Sequence, residues 1–495
     1  MASVHGGTRP DGQTGPQPEG FQQPPPAVSL PKGGGAIRGM GEKFAANLVT
    51  GTGSMSVRIA TSPGRSGFGP HLAISYDSGA GNGPFGFGWS LSLPAITRKT
   101  DKGLPRYLDA AESDTFILSG AEDLVPVLEG DGKRYEDDTT VPRYVIHRYR
   151  PRIEGLFARI ARWTRDDGDV HWRSISKDNV LSIYGADPNS RIADPTPDPG
   201  DPSHIFSWLI CETRDDKGNA VVYEYKAEDD VGVDRGQAHE RNRGDPDDKR
   251  RTANRYLKCI KYGNRVPLLD AAGRRPQFLT LARVDNAKRM FAVVFDYDDH
   301  DPVSPEPTDD KATDGAGALK YPWKPRQDPF SSYRAGFEVR TYRLCQRVLM
   351  FHHFPGAPGV GDGCLVRSTD FEYSYERSPK DARNPIYSFL LSVKQTGYKR
   401  ADDGGYVAKS LPRVEFEYTQ PIVQDRVEEV DAASIENVPI GLDGMLYRWT
   451  DLHGEGIPGI LTESGRRLAL QAQPEPAAHP ARRRSRSGKD PTCTH

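Results

Sequence analysis

An apolar-x-aromatic-x-Tyr pattern is written four times in this chain, as Val221-Tyr223-Tyr225, Val293-Phe295-Tyr297, Phe371-Tyr373-Tyr375 and Val414-Phe416-Tyr418. The positions between and beside them carry Glu224, Lys226, Asp296, Asp298, Glu372, Glu415 and Glu417. A period of two places large apolar rings on one face and charge on the other. A helix, with its period of 3.6, cannot use that pattern. The expectation is a half-exposed antiparallel strand, repeated. The irregular spacing of the copies excludes a strict short-period solenoid.

Other segments extend the same reading. Met55, Val57 and Ile59 alternate with Ser54, Ser56 and Arg58, and Leu72, Ile74 and Tyr76 share one face. "RYLKCIKYGNR", "RLCQRVLMFHHF" and "FLLSVKQTGYKR" read as further strands, the hairpin partners of the repeated ones. Long amphipathic helices are scarce, and 51 Gly, 41 Pro and 21 Tyr suit a β-rich chain with many turns. The acidic, Gly/Pro-rich stretches near 186–203, 226–250 and 298–330 are expected as long loops, either surface excursions or functional insertions.

The totals exclude several classes. With 66 Lys+Arg against 68 Asp+Glu, the net charge of -2 draws the chain to neither nucleic acid nor an anionic membrane. No apolar run approaches the ~20 residues of a membrane helix, so direct membrane insertion is not expected. "MASVHGGTRPDGQTGPQPEG" has neither a basic start nor an apolar core, so a Sec-type signal peptide is not expected. The five cysteines, Cys211, Cys259, Cys345, Cys364 and Cys493, are far apart and form no C-x-x-C, which points to free thiols packed in strands. Residues 1–35 are Pro-, Gly- and Gln-rich and read as a disordered leader. Residues 466–495, with Arg482-Arg483-Arg484 and Arg486, show no strand pattern and read as a disordered basic tail, possible frameshift product included.

"GAGNGPFGFGWSLSLPAITR", Gly79 to Arg98, is where a phosphate-cradling loop would be sought. No helix opens after it, as a dinucleotide loop requires, and Trp89-Ser90-Leu91-Ser92-Leu93 alternates like a strand. It reads instead as a turn-and-strand corner, with glycines for close backbone approach and Phe85, Phe87 and Trp89 for packing. His352 and His353 are expected to face opposite ways with no acidic partner at ligand spacing. His171 beside Trp172 reads as an ordinary strand pair.

Gly33 to Tyr107, and above all "SGAGNGPFGFGWSLSLPAITRKT", resembles the opening of the SpvB-type N-terminal domain of the Salmonella virulence plasmid B protein family. That domain is shared with the B component of Tc insecticidal toxin complexes. "DTFILSGAEDLVPV" and "HWRSISKDNVLSIYG" continue the resemblance, which runs from Ala36 to about residue 465. "DDKGNAVVYEY" is similar to the tyrosine–aspartate repeats of Rhs-type proteins. "GLDGMLYRWTDLHGEGIPGILTE", residues 441–463, resembles the first blade of the Tc B propeller, and its Asp451-x-His453-Gly-Glu455 resembles a calcium loop with His in place of the second Asp.

The resemblance implies a mainly β fold: extended antiparallel sheets of an Rhs/SpvB-like shell wall, followed by the start of a truncated propeller. The expected divisions are a leader at 1–35, an SpvB-type domain at 36–430, a first propeller blade at 431–465 and a tail at 466–495. It implies a structural delivery component of a toxin complex, enclosing a toxic polypeptide with an Rhs-type C component and meeting a pore-forming A component through the propeller. Two alternatives stand beside it: the translocation domain of an SpvB-like ADP-ribosylating toxin, and a secreted adhesion or glycan-binding module. The ADP-ribosylation motifs are an Arg, Ser-Thr-Ser and Glu-x-Glu. Their counterparts here are Arg340, Ser368-Thr369-Asp370 and Glu415-Phe416-Glu417, and Asp370 breaks the middle motif. No catalytic, cofactor-binding or metal residue is assigned, and no cofactor. Secretion without a classical signal peptide is expected, preceded by the cytoplasm of the producing bacterium.

Overall fold

The alternating segments form strands, and those strands close into a barrel that opens out into a sheet. The computed structural model describes residues 43–46, 52–119, 123–197, 204–241, 243, 249–280, 287–377, 387–402, 404–419, 446–450, 459–464 and 467–471. The leader, the Asp451 loop, the Arg482–Arg486 cluster and Cys493 lie outside these residues. The chain divides into two compact units, Met1–Pro421 and Ile422–His495.

In the first unit, β1 (Gly53–Ile59), β2 (Leu72–Asp77) and β3 (Trp89–Leu91) join Lys43–Ala46 in a small antiparallel sheet. Val57, Ile59, Leu72 and Ile74 are buried on its inner face, as the alternation requires. Eight strands follow: β4 (Ala95–Arg98), β5 (Phe116–Leu118), β6 (Asp123–Pro126), β7 (Tyr144–Pro151), β8 (Arg159–Arg165), β9 (Val170–Ile175), β10 (Leu181–Tyr184) and β11 (Ile205–Arg214). Each pairs antiparallel with the next, and β11 pairs back to β4 through Ser207↔Thr97, closing the ring. A ring of about eight strands leaves an interior just wide enough for side chains. Phe116 of β5 meets Trp172 of β9 at 4.9 Å and Trp208 of β11 at 5.8 Å, contacts between unpaired strands that place these rings inside. Alternate residues Ala161 and Trp163 pack outside with Ile146 and Val141.

Closure into a barrel goes beyond the extended sheets expected from sequence. From β11 the wall continues as an open antiparallel sheet: β12 (Ala220–Ala227), β13 (Arg255–Asn264), β14 (Arg289–Asp296), β15 (Arg347–Phe354), β16 (Gly361–Tyr373) and β17 (Leu390–Arg400), with β18 (Tyr406–Ser410) and β19 (Val414–Glu415) both on β17. The three hairpin partners sought in the sequence are β13, β15 and β17. Val221, Tyr223, Val293, Phe295, Tyr297, Phe371 and Tyr373 all face one core. The half-exposed expectation holds at the sheet's end, where Glu415 and Glu417 are exposed, and fails at its centre. There Cys259, Ala292, Val294, Leu349, Phe351 and Leu365 form a second buried cluster on the opposite face, and Asp296 is buried with them. Cys211, Cys259, Cys345 and Cys364 are free and buried.

The glycine stretch is a docked corner. Phe85 enters edge-on between Phe295 and Phe371, at 6.4 and 5.8 Å. Trp89 packs on Phe416 at 4.9 Å, and its indole N–H donates to the Tyr418 hydroxyl at 2.7 Å. Three of the four repeated motifs therefore meet this corner. Phe87 N–H donates to Ser388 C=O at 2.9 Å, and Arg326 reaches Gly83 C=O at 2.7 Å and Asn82 Oδ1 at 2.8 Å. Gly86 has φ +94° and a side chain on it would lie 2.5 Å from Ser388 O; Gly88 has φ +80° and one would lie 2.4 Å from the Tyr76 ring.

In the second unit, β20 (Tyr447–Thr450), β21 (Gly459–Ser464) and β22 (Arg467–Gln471) form a three-stranded antiparallel sheet. β22 lies in the stretch expected as a disordered tail. An edge of β21 open to backbone pairing outweighs the weak local pattern of "RRLALQ".

Replacing Gly86 with Ala is expected to destabilise the first unit by about 2–4 kcal/mol, through left-handed backbone strain and the clash with Ser388. Urea unfolding of the full chain checks this; Gly81→Ala, whose added methyl meets nothing within 4 Å, is the matched control.

Candidate functional site

The residues weighed for ADP-ribosylation fall into three separate environments. Arg340 lies in the short strand Val339–Thr341, buried, its guanidinium on Glu240 and on Ser331 Oγ. Ser368 and Thr369 are buried within β16, and Ser368 Oγ donates to Asp370 Oδ2 at 2.9 Å. Burial raises the Asp370 carboxyl above its ordinary range, against the pull of Ser368 and Lys394. Glu415 is exposed on β19, 3.8 Å from Arg413 Nε.

The two adjacent histidines do part company, His352 to Ser62 Oγ at 2.7 Å and His353 to Asp362 Oδ1 at 2.8 Å. The acidic partner of His353 comes from the next strand, nine residues on, and corrects the expectation that it has none. His171 and Trp172 are both buried, on opposite faces of the barrel wall, so neither face of β9 is an ordinary exposed one.

What the sequence reading missed is a set of buried ion pairs that fastens the long acidic loops to the sheet. Glu228 accepts from Arg343 at 2.6 Å with both side chains fully buried, and Arg343 also stacks 4.2 Å from the Trp323 ring. Glu240 binds Arg340 and accepts from the Tyr342 hydroxyl at 2.6 Å. Asp299 accepts from Lys258 at 2.6 Å and from Lys226 at 3.1 Å, and His300 Nδ1 stands 3.1 Å away. Asp296 accepts from Arg347 at 2.5 Å. Glu228, Glu240 and Asp299 all fall in stretches expected as long loops, either surface excursions or functional insertions. They are loops, and their acids are among the most buried groups in the chain.

Asp296, Asp299 and His300 have the donor types and closeness of a metal site. The chemistry of the set points elsewhere: three protein cations, Lys226, Lys258 and Arg347, already occupy the carboxylate oxygens. A divalent ion would sit among like charges. The cluster is an internally neutralised network. Burial works against the Asp299 charge, but His300, Lys258 and Lys226 hold its carboxyl far below the usual range. Burial likewise opposes a charge on His300, and hydrogen bonds to Asp296 and Asp299 overcome it, so this imidazole is raised.

A small closed barrel continued by a broad antiparallel sheet, with loops pinned by internal ion pairs, defines a mainly β barrel-and-sheet module. The family model of the Salmonella virulence plasmid 65kDa B protein matches residues 47–354, and the chain belongs to that SpvB family. It is 35% identical over 388 residues to the mono(ADP-ribosyl)transferase SpvB of Salmonella choleraesuis, covering 75% of this chain. The chain spans 58% of that relative's length. Among solved structures, TcdB2-TccC3 is similar over 90% of this chain and 20% of its own, with TM-score 0.62 and 29% identity. The N-terminal domain of effector SpvB from Salmonella typhimurium LT2 is similar over 69% of this chain and 99% of its own, with TM-score 0.53 and 34% identity. The Photorhabdus luminescens Tc holotoxin pore is similar over 92% of this chain, with TM-score 0.61 and 29% identity.

Glu228→Gln leaves the buried Arg343 guanidinium with the partly exposed Asp229, at 3.1 Å, as its remaining carboxylate, and is expected to cost about 3 kcal/mol, the low end for a broken buried pair. A Glu228→Gln/Arg343→Met double variant is expected to recover much of that loss; additive losses in a double-mutant cycle by urea unfolding would contradict the pairing.

His300 makes a pH prediction. A raised folded value gives stability that is complete below the unfolded value of ~6.5 and lost as pH rises through the folded one. Stability measured at about pH 6 and pH 8 should therefore fall more in the wild type than in His300→Gln. Burial lowers His171 and His352, which shifts stability the other way in both proteins, so the wild-type-minus-variant difference is the readout.

Proposed function

We propose that this chain is a wall segment of a Tc-type toxin shell: a structural delivery component rather than an enzyme. One observation carries the reading. The likeness to TcdB2-TccC3 extends over 90% of the chain, through the barrel, the open sheet and beyond the stretch matched by the family model. On this reading the sheet encloses a toxic polypeptide together with an Rhs-type C component, and the complex meets a pore-forming A component. Neither nucleic acid nor a cofactor takes part. The protein assembles in the cytoplasm of the producing bacterium and acts after release. The separate placements of Arg340, Ser368 and Glu415, each bound to other neighbours, support the non-catalytic role.

A second reading has its own support. The chain covers 99% of the SpvB N-terminal domain at 34% identity, which fits the delivery domain of an SpvB-like effector.

Co-expression of the full chain with an Rhs-type C component is expected to yield a complex that co-elutes in size exclusion, with no NAD turnover in either the free chain or the complex. Separate elution, under conditions where a Tc B component binds the same partner, rules out the shell role and favours the second reading.

A further inference from the structure

On the outer face of the barrel, β7 to β10 and the segment 270–277 enclose a cavity of about 620 Å³. Its floor is apolar, made by Ile146, Trp163 and Leu181, all buried. Arg173 lies over that floor, only 7% exposed, its guanidinium 3.8 Å from the Trp163 ring and 4.5 Å from Phe278. It donates through Nε to His171 Nε2 at 3.0 Å and through Nη1 to Gln277 C=O at 3.0 Å. Neither acceptor is charged, since burial and then Arg173 itself push His171 well below its ordinary value. Beside it, Arg275 donates to Asn179 C=O and Oδ1 at 2.5 and 3.1 Å and to Arg214 C=O at 3.4 Å. Arg214 donates to Pro276 C=O at 2.6 Å and Gln277 C=O at 3.4 Å, with its Nε 2.5 Å from Glu212 Oε1.

Arg214 has Glu212 beside it, and Asp215 and Asp216 lie within electrostatic reach of Arg275, but among the described residues no carboxylate stands at ion-pair distance from the buried Arg173. The acids at the rim are engaged elsewhere: Asp137 Oδ1 accepts from the Thr139 and Thr140 N–H groups, and Asp270 Oδ1 from the Ala272 and Arg274 N–H groups. Exposed Arg148 and Arg159 add further positive charge at the mouth. A buried cation without a counter-ion is costly, and a guanidinium presents a fork that matches a carboxylate. Burial and then the like charge of Arg214 bring Arg173 down to about 10, against the pull of Tyr144 and Glu212.

We propose that this cavity binds a carboxylate carried on an apolar body, with Arg173 and Arg275 taking the carboxylate and Ile146, Trp163 and Leu181 taking the apolar part. Its volume lies in the range of small-ligand sites, about 300–1,000 Å³. The two sources of that chemistry are an acidic residue flanked by apolar ones in a peptide and a free amphiphilic carboxylate. The inference does not depend on the shell reading.

The test melts the full chain with 4-phenylbutyrate, its neutral amide, inorganic phosphate, and the peptide acetyl-Leu-Phe-Glu-Leu-amide with its Gln counterpart. The two carboxylates are expected to raise the Tm and the amides to leave it unchanged. The tighter of phenylbutyrate and the peptide identifies the source. Arg173→Met and Arg275→Gln should each weaken binding about tenfold or more. Arg173→Met without probe should melt no lower than the wild type, since it removes an unbalanced buried charge; a side chain with only a structural role would lower the Tm. The proposal is overturned if no carboxylate shifts the Tm at millimolar concentration, if phosphate shifts it as much as phenylbutyrate, or if both variants keep the wild-type response.

Discussion

The first unit depends on one strand, β11, having both edges occupied around Trp208 and again towards Arg214. Trp208 of β11 pairs with Arg191 on one side and Ile96 on the other; Arg214 pairs with Leu181 on one side and Ala220 on the other. One edge thus carries β10 and its continuation at Arg191–Ala193. The other edge carries β4 at one end of β11 and β12 at the other. The sheet forks there: through β4 it closes into a ring, and through β12 it runs on as the open wall. Gly185 lets one run of chain cover the first edge. It sits at φ +65° where a Cβ would lie 2.3 Å from the Trp208 ring, so the chain can loop out residues 186–190 and return to the same edge. Closure removes the ring's edges, which leaves the open sheet as the part whose edges need cover.

The open sheet is held by polar contacts as much as by apolar ones. Arg343 reaches Glu228 across 115 residues of sequence, Arg340 reaches Glu240 across 100, and Lys258 reaches Asp299 across 41. Buried pairs of this kind contribute little net stability against a well-packed apolar alternative, but breaking one partner is expensive. Their geometry is demanding. Glu228 fits one position of the loop against Arg343 and Trp323, where an apolar contact would tolerate sliding. The consequence is a loop with a fixed path over the sheet.

The β class, the repeated strands and the packing role of the glycine corner were legible because each rests on local alternation. Trp89, Phe85 and the rings of the four repeats advertise a common core in their spacing. Barrel closure was not legible, because it is a register between Ser207 and Thr97, 110 residues apart, and neither segment encodes its partner locally. The ion-pair network was hidden for a different reason. An aspartate in a Gly/Pro-rich stretch looks the same whether it is solvated or buried, and Asp299 follows the last repeated ring, Tyr297, by two residues. The available signal lay in the strands: Lys258 interrupts the apolar run of β13, and a cation at the centre of a sheet calls for an acid from elsewhere. The cavity over Trp163 was missed because its cations come from β9 and from the segment 270–277, which meet only in the fold.

That distinction changes what the long loops are. The sheet centre carries Cys259, Ala292, Val294, Leu349, Phe351 and Leu365 on the face that alternation assigned to solvent. Pro307 and Thr308 line the same cavity as Cys259, Ala292 and Val294, so the loop that holds Asp299 also covers this second apolar face. Arg347 anchors it twice more, through the carbonyls of Asp301 at 2.6 Å and Pro302 at 3.1 Å. Stripped of that loop, the sheet would present an apolar strip beside Lys258, whose carboxylate partner Asp299 the loop supplies, a surface prone to association. Glu228, Glu240 and Asp299 are therefore turned inward to bind the sheet, and the stretches that carry them are structural parts of the fold.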